Sequence, residues 1–465
     1  MHRKTYALLL AALGAFAGCR AADESSIHTR SAVAPDRPAN VQSTQVNETL
    51  AEPTGVVTLR DALVLAVSGN PELAIYPYEL RAADARALQA GLLPNPELEV
   101  EIESVGGAGD RSGFDGAETT VRIGQPIELG GKRTKRARVA QFDKELTRWD
   151  YEAARLDAIR DAAQAFVAVQ AAQDRVALAR QVVELSEQAR AAAAQRVQAG
   201  RDSPVDELRA EVALSTSRIE LKKSEKALAA ARHALAAVWG GRAAVFDAAT
   251  GDLYEVSPPA VPEDSAAAIA ANPDIARWES QEQRQRAVLR LEKANAVPDV
   301  TVGAGVQRFE ESDDSAVVLG MGVPIPLFDR NQGGIREATA ELGKVHRQVE
   351  AAQVRTLAAL SEASAALASA YEEATILRND VLPKAEQAFV AAQDGYRQGK
   401  FDYLYVLDTQ RTLFETQAGY IDAVEAYHKA SAEVQRLIGA PSTEANEALS
   451  VSTLTPSSQE DSHEE

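Results

Sequence analysis

The chain has 465 residues, with 49 Lys and Arg against 68 Asp and Glu, six His, one Cys and only 5% aromatic residues. A net charge of −19 excludes the basic surface that nucleic acid requires, and a single Cys excludes an internal disulfide or a Cys-based zinc site. The apolar fraction of 45% is rich in Ala and poor in rings, which favours long, closely packed helices over an enzyme fold with an aromatic-lined pocket.

At the start, His2-Arg3-Lys4 is followed by an apolar run over 7–17 and then Gly18-Cys19. This is the layout of a secretory signal peptide, residues 1–18, too short to anchor a chain across a bilayer. Cys19 stands where a lipoprotein signal places its lipidated residue. A plain signal cut after Ala15-Phe16-Ala17 fits as well, and both readings export the chain. Residues 19–56, rich in Ser, Thr, Pro and acids, read as an irregular linker. No later segment has the ~18 consecutive apolar residues of a transmembrane helix, so a mature chain that crosses a membrane must do so with strands in a closed barrel.

From there the sequence repeats. Asn70-Pro71-Glu72-Leu73 returns as Asn272-Pro273-Asp274-Ile275, and Pro96 as Pro298, both 202 residues on. Pro126-Ile127-Glu128-Leu129 returns as Pro324-Ile325-Pro326-Leu327, 198 residues on. Ala199-Gly200 has a counterpart in Gln398-Gly399, and Asp206, two places adrift, in Asp408. A period this long is that of a tandem duplication, not of a solenoid; the two structural repeats are 57–252 and 253–440.

In the first repeat, Thr58 can cap a short helix with Leu59, Ala62, Leu63 and Ala66 on one face. Alternation of acid and aliphatic residues predicts a strand over about 97–104, and a second strand follows over about 119–125. A turn-rich loop with Gly106, Gly107, Gly109, Gly113 and Gly116 joins them. A proline-free helix spans about 131–199, with Ala162, Val169, Val176 and Val183 at heptad steps and Leu156, Ile159, Ala163 and Phe166 at coiled-coil spacing. After Gly200 a second helix, about 204–239, begins at Pro204, a residue suited to a first turn. The second repeat gives strands at about 299–307 and 316–323, and helices at about 334–398 and 402–439, the former kinked at Pro383. Residues 441–465 read as a disordered tail.

The strand pairs set the architecture. Four strands from one chain leave two open edges and cannot sit in lipid. Three chains supply twelve, an even-numbered closed barrel with aliphatic residues toward lipid and Glu97, Glu99, Glu101 and Glu103 toward the lumen. The fold class is therefore mainly α with membrane β: a trimeric 12-stranded β-barrel continued by a long α-helical barrel.

Several runs resemble the TolC-type outer-membrane efflux proteins. They are Asn70 to Leu73, Leu92-Leu93-Pro94-Asn95-Pro96, Gln125 to Arg133, Pro324 to Gly333 and Gly395-Tyr396-Arg397-Gln398-Gly399. Within that family the chain is most similar to the CzcC-like heavy-metal branch, and the resemblance covers about residues 57–440. It implies a homotrimer in the outer membrane, spanning into the periplasm. The channel would be a passive duct that docks with a periplasmic adaptor and an inner-membrane RND pump, without a cofactor. In Tyr405-Val406-Leu407-Asp408, Asp408 matches the second acid of the family's periplasmic constriction, while Tyr405 stands where the first acid would be. Three carboxylates on a threefold axis repel one another and attract cations, which suits a gate; a helix-start acid stabilised by the dipole is the alternative. Asp206 is the weaker repeat counterpart. Gly200, Arg397 and Gly399 mark hairpin tips that the resemblance assigns to adaptor docking. Pro126, Gly130, Gly131, Pro324 and Pro326 mark the change from barrel to helix. Lys132, Arg133, Lys135, Arg136 and Arg138 crowd a helix start, where positive charge opposes the dipole. They meet either anionic lipid headgroups or solvent.

No Gly-x-Ser-x-Gly, His-Glu-x-x-His, P-loop or strand-to-helix Gly-x-Gly-x-x-Gly supports catalysis. The rivals to a metal-efflux channel are a drug-efflux or type I secretion channel of the same fold, and a soluble periplasmic coiled-coil scaffold.

Overall fold

A computed structural model describes residues 52–109, 113–200, 203–259 and 264–439. The expected signal peptide, Cys19, nearly all of the 19–56 linker and the 441–465 tail lie outside the described residues.

The chain enters through β1 (Gly55–Thr58) and α1 (Leu59–Gly69). Thr58 and Asp61 form a reciprocal capping box, the Thr58 hydroxyl oxygen accepting from the Asp61 N–H and the Asp61 carboxylate from the Thr58 N–H. Ala62, Leu63 and Ala66 are buried on one face of α1. After α2 (Tyr76–Ala90) come β2 (Glu97–Glu103) and β3 (Glu118–Ile127), then α3 (Lys132–Gln198) and α4 (Pro204–Val238). The second pass supplies β4 (Phe246–Thr250), the short α5 (Ser265–Ile269), α6 (Pro273–Asn295), β5 (Val300–Phe309) and β6 (Asp314–Gly322). It closes with α7 (Gln332–Ile376), a π-helical turn over Leu377–Val381, α8 (Leu382–Arg397) and α9 (Tyr403–Ile438).

At 67 residues, α3 is about 100 Å long at ~1.5 Å per residue, and the other helices are laid along it. It packs against α1, α2, α4, α6 and α9, while α7 packs against α6 and α9. Its heptad residues Ala162, Val169 and Val176 are buried, as are Ile159 and Phe166. Polar ties fix the register of these helices. Trp149 Nε1 donates to Ser280 Oγ at 3.1 Å, joining α3 to α6. Arg436 on α9 bridges Asp157 on α3 at 2.8 Å and also pairs with Asp274 on α6. Asn272, fully buried, caps α6 by accepting from the Asp274 N–H, and it donates to the Leu437 carbonyl at 2.8 Å.

Three features differ from the sequence expectation. First, β1 and β4 pair in parallel around buried Val57 and Phe246, although only the hairpin strands were expected. Strands of four and five residues carry too little alternation to be read by period, and burial against Phe166 and Leu235 holds them in place. Second, α2 and α6 are helices that no apolar stripe announces. α6 buries Gln285, Ala287 and Ala294 and owes its place to packing on α3. Third, the expected 334–398 helix is interrupted before Pro383 by the π-helical turn. A wider turn absorbs the N–H that proline lacks, so the chain continues into α8.

The second sheet has the order β2-β3-β5-β6, antiparallel throughout. Its register aligns Leu98 with Ile123, Ile123 with Ala304 and Ala304 with Leu319. Leu98, Val100, Ile102, Val121, Ile123, Val302, Val306, Val317, Leu319 and Met321 therefore share one face, and all are exposed, Leu319 at 79%. The other face carries Glu97, Glu99, Glu101 and Glu103, with Arg122 paired to Glu99 at 2.6 Å. β2 and β6 are the outer strands, each with one unpaired edge.

Candidate functional site

Three regions along the long axis hold the residues singled out in the sequence: the sheet, the collar that joins it to the helices, and the two hairpin tips.

The collar is built where β3 runs into α3. Pro126 stands opposite Thr301, past the point where β2 ends at Glu97 opposite Gly124, so its missing N–H interrupts no ladder on the β2 side. Gly130 and Gly131 follow with φ of +68° and +66°, a left-handed pair that glycine adopts without strain. They turn the chain into α3. A side chain on Gly130 would meet the Ala294 carbonyl at 3.3 Å.

The basic cluster divides at this collar. Lys132 is buried, with its Nζ 2.7 Å from Asp299 Oδ1. Arg136 forks onto Glu128 at 2.7 and 3.2 Å, and its Nε donates to the Ala90 carbonyl at 2.9 Å. Lys135 donates to the Gly130 carbonyl, and the Arg138 guanidinium covers the Phe142 ring at 4.3 Å. Arg133 is exposed. Thus Lys132 and Arg136 tie β3, β5 and α2 to the start of α3. Their partners Asp299 and Glu128 escaped the sequence reading, although Asp299 follows the repeated Pro298 in the place that Glu97 takes after Pro96. Pro324 and Pro326 lie beyond the end of β6, and the neighbouring Ile325, Leu327 and Phe328 are exposed, Phe328 at 89%.

At the tips, Gly200 ends α3 with φ +67° and Gly399 follows α8 with φ +71°. Arg397 pairs loosely with Asp394 at 3.6 Å. The tips touch through a cluster that the sequence reading missed. Tyr396 and Tyr403 have ring centres 5.7 Å apart, Arg196 stacks on Tyr396, and Phe401 packs against Tyr405 at 4.9 Å. Tyr403 is buried with Ala193 and Ala210, and burial pushes its phenol up to about 12. The Phe401 ring lies over Gly395, where a Cβ would come within 2.5 Å of the ring edge. A glycine near the end of a helix and a Phe six residues on was the available signal.

Tyr405 and Asp408 are three residues apart on α9 and both are exposed, so they share a face. Buried Tyr403, Val406, Gln410 and Leu413 form the packed side of that helix. Asp206, in the first turn of α4, is held by Arg209 at 3.4 Å. Among the described residues no hydrogen bond or ion pair joins it to Asp408. Cys19 lies outside the described residues. Among the described residues no group of His, Cys, Asp and Glu is arranged to hold a metal ion, and no helix is long and apolar enough to cross a membrane.

An exposed aliphatic sheet face, open sheet edges and a helix about 100 Å long form the setting for comparison with known proteins. The family model for the outer membrane efflux protein matches residues 62–241 and again 265–440. The chain belongs to the outer membrane efflux protein family. This member is 34% identical over 388 residues to the cobalt-zinc-cadmium resistance protein CzcC of Cupriavidus metallidurans, covering 83% of the chain and 91% of that relative. It is 29% identical over 315 residues to the nickel and cobalt resistance protein CnrC of the same organism, covering 68% of the chain and 72% of the relative. The fold matches a crystal structure of CusC, determined in work on its folding and transmembrane channel formation. The TM-score is 0.72 at 18% identity, with 82% of this chain and 92% of that chain covered.

Proposed function

We propose that this family member is the outer-membrane channel of a tripartite RND-type efflux system that exports heavy-metal cations. The channel is a passive duct, docked to a periplasmic adaptor and an inner-membrane pump. The observation that carries the channel reading is the four-stranded sheet. Ten large aliphatic side chains on one face are exposed, a surface that water does not tolerate as a contiguous patch, and β2 and β6 each offer an open edge. Lipid against that face and further copies against those edges satisfy both. Three copies give twelve strands and a closed barrel, with the Glu97 to Glu103 face lining the lumen. The metal cargo follows from the resistances for which CzcC and CnrC are named.

In this reading the repeats 57–252 and 253–440 each contribute one membrane hairpin and one helical hairpin. Asp408, beside Tyr405, forms the periplasmic gate, and Asp206 is a secondary acid near the same end. Gly200, Arg397 and Gly399 present the tips to the adaptor. Arg133, with Lys135 and the exposed part of Arg136, lies at the headgroup level, Lys132 being turned inward onto Asp299, and Cys19 carries the lipid anchor. Purified from outer membranes and placed in planar bilayers, the protein should run as a trimer and conduct. A monodisperse, β-rich monomer without conductance would contradict the channel reading.

A further inference from the structure

Toward the tips the helices stand in a row: α4 packs on α3, α3 on α9, and α9 on α7 and α8. α4 is therefore one flank of the row, and α7 with α8 the other. α4 meets α3 through one face, on which Ala210, Leu214, Ser217 and Leu235 are buried. A helix turns about 100° per residue, so a position two residues from that set points about 200° round, away from α3. The stripe at those positions is apolar. Val205, Leu208, Val212 and Ile219 follow one another at steps of three, four and seven, the spacing of a coiled-coil seam, and all are exposed, Val212 at 67%.

α7 is built in the same way. Leu360, Leu367, Ala370 and Ala374 are buried on its α9 side, while Val354, Ala358, Ala365, Ser369 and Ile376 on the opposite side are exposed. Val390 on α8 is exposed as well. A helix between a core and water keeps one apolar stripe. Two stripes on opposite sides belong to a helix with another helix on either hand. Arg209, Glu211, Arg218 and Glu220 flank the α4 stripe, which a lipid-facing helix does not tolerate.

We propose that the outer stripe of α4 in one copy packs on the outer stripe of α7 and α8 in the next, so that the helices, like the sheet, close only between copies. The inference rests on the reading above that three copies join around one axis. Charge fits this occupant. Seven residues past Ile219 the α4 stripe reaches Lys226, and four residues before Ile376 the α7 stripe carries Glu372. Both are exposed, and neither is held in a salt bridge among the described residues.

The level of the contact follows from ties inside the chain. Glu211 and Arg218 on α4 pair with Arg190 and Glu187 on α3 at 3.1 and 2.7 Å, which sets Val212 beside Arg190. Arg196 of α3 stacks on Tyr396 of α8, and six residues back along the two helices lie Arg190 and Val390. Val212 and Val390 thus stand near one level on opposite flanks of the row, too far apart to meet within one copy.

Two sets of variants of the full chain test this in outer membranes. Val212→Cys combined in turn with Gln387→Cys, Val390→Cys or Asp394→Cys, about one helical turn apart, should yield a disulfide-linked ladder up to trimer for at least one pair on oxidation, and no single variant should. Leu208→Asp with Val212→Asp should lose most of the trimer in mild detergent while keeping the helical signal, since the α3 side of α4 is untouched; Val212→Leu should keep the trimer. Trimers by mass that no cysteine pair traps and that the paired Asp variant leaves unchanged would overturn the seam while leaving the trimeric reading intact. A wild-type chain found only as a monomer would overturn both.

Discussion

The guanidinium of Arg196 lies 4.5 Å from the ring centre of Tyr396, so the last turn of α3 is stacked on the last turn of α8. These residues are 200 positions apart in the chain and sit one turn or less from the two tip glycines. The two helical hairpins of one chain therefore end as a joined unit, and a partner that docks on one tip meets the other.

Gly395 is the position that this joint tolerates least. Gly395→Ala places a methyl group where the Phe401 ring now lies, forcing the ring off its packing on Tyr405. Overpacking of this kind costs about 1–3 kcal/mol. Limited proteolysis should cut the 395–403 segment faster in the variant, while the barrel and the oligomer stay intact. Arg196→Ala should loosen the same joint as well, by about 1 kcal/mol for a half-buried cation–π pair.

Asp408 is exposed and belongs to no packed seam, so Asp408→Ala should fold and assemble normally. If three copies of its carboxylate line the constriction, the substitution should raise conductance in planar bilayers and weaken block by divalent or trivalent cations. Unchanged conductance and block in an assembled variant would make Asp408 an ordinary helix-start acid and shift attention to Tyr405 or Asp206.

His428 supplies a pH-dependent contribution to stability. Burial holds its imidazole below the ordinary range, and the hydrogen bond from Nε2 to the Leu253 carbonyl at 2.8 Å, with Asp252 and Glu255 nearby, offsets only part of that. The unfolded chain takes up the proton first. The contribution is therefore complete above about pH 6.5, the unfolded value, and is lost progressively as pH falls below it. Thermal melts at pH 7.5 and pH 5 should show a larger drop for the wild type than for His428→Gln, whose side chain does not titrate. Equal drops would assign the acid sensitivity to other groups.

Much of this fold was legible because long elements carry strong periods. The unbroken Glu-aliphatic alternation over 97–103 marks a strand, and the heptad steps from Ala162 to Val176 mark the buried side of α3. Gly200 and Gly399 mark the chain reversals. What stayed hidden depends on distant partners. Nothing near Lys132 reveals that its charge is buried against Asp299, 167 residues on. Nothing local sets β1 against β4, whose pairing is decided by burial on α3 and α4. The Arg196–Tyr396 stack was hidden for the same reason: each residue alone reads as an ordinary surface residue of a helix.

The most direct test of the central claim is metal tolerance in a host that lacks this gene but keeps the rest of its efflux system. Growth should become sensitive to cobalt, zinc or cadmium ions, cellular metal should rise, and tolerance of detergents and dyes should change little; the wild-type gene should restore growth and cellular metal. Unchanged metal tolerance together with new sensitivity to dyes and detergents would contradict the account and assign the channel to drug efflux.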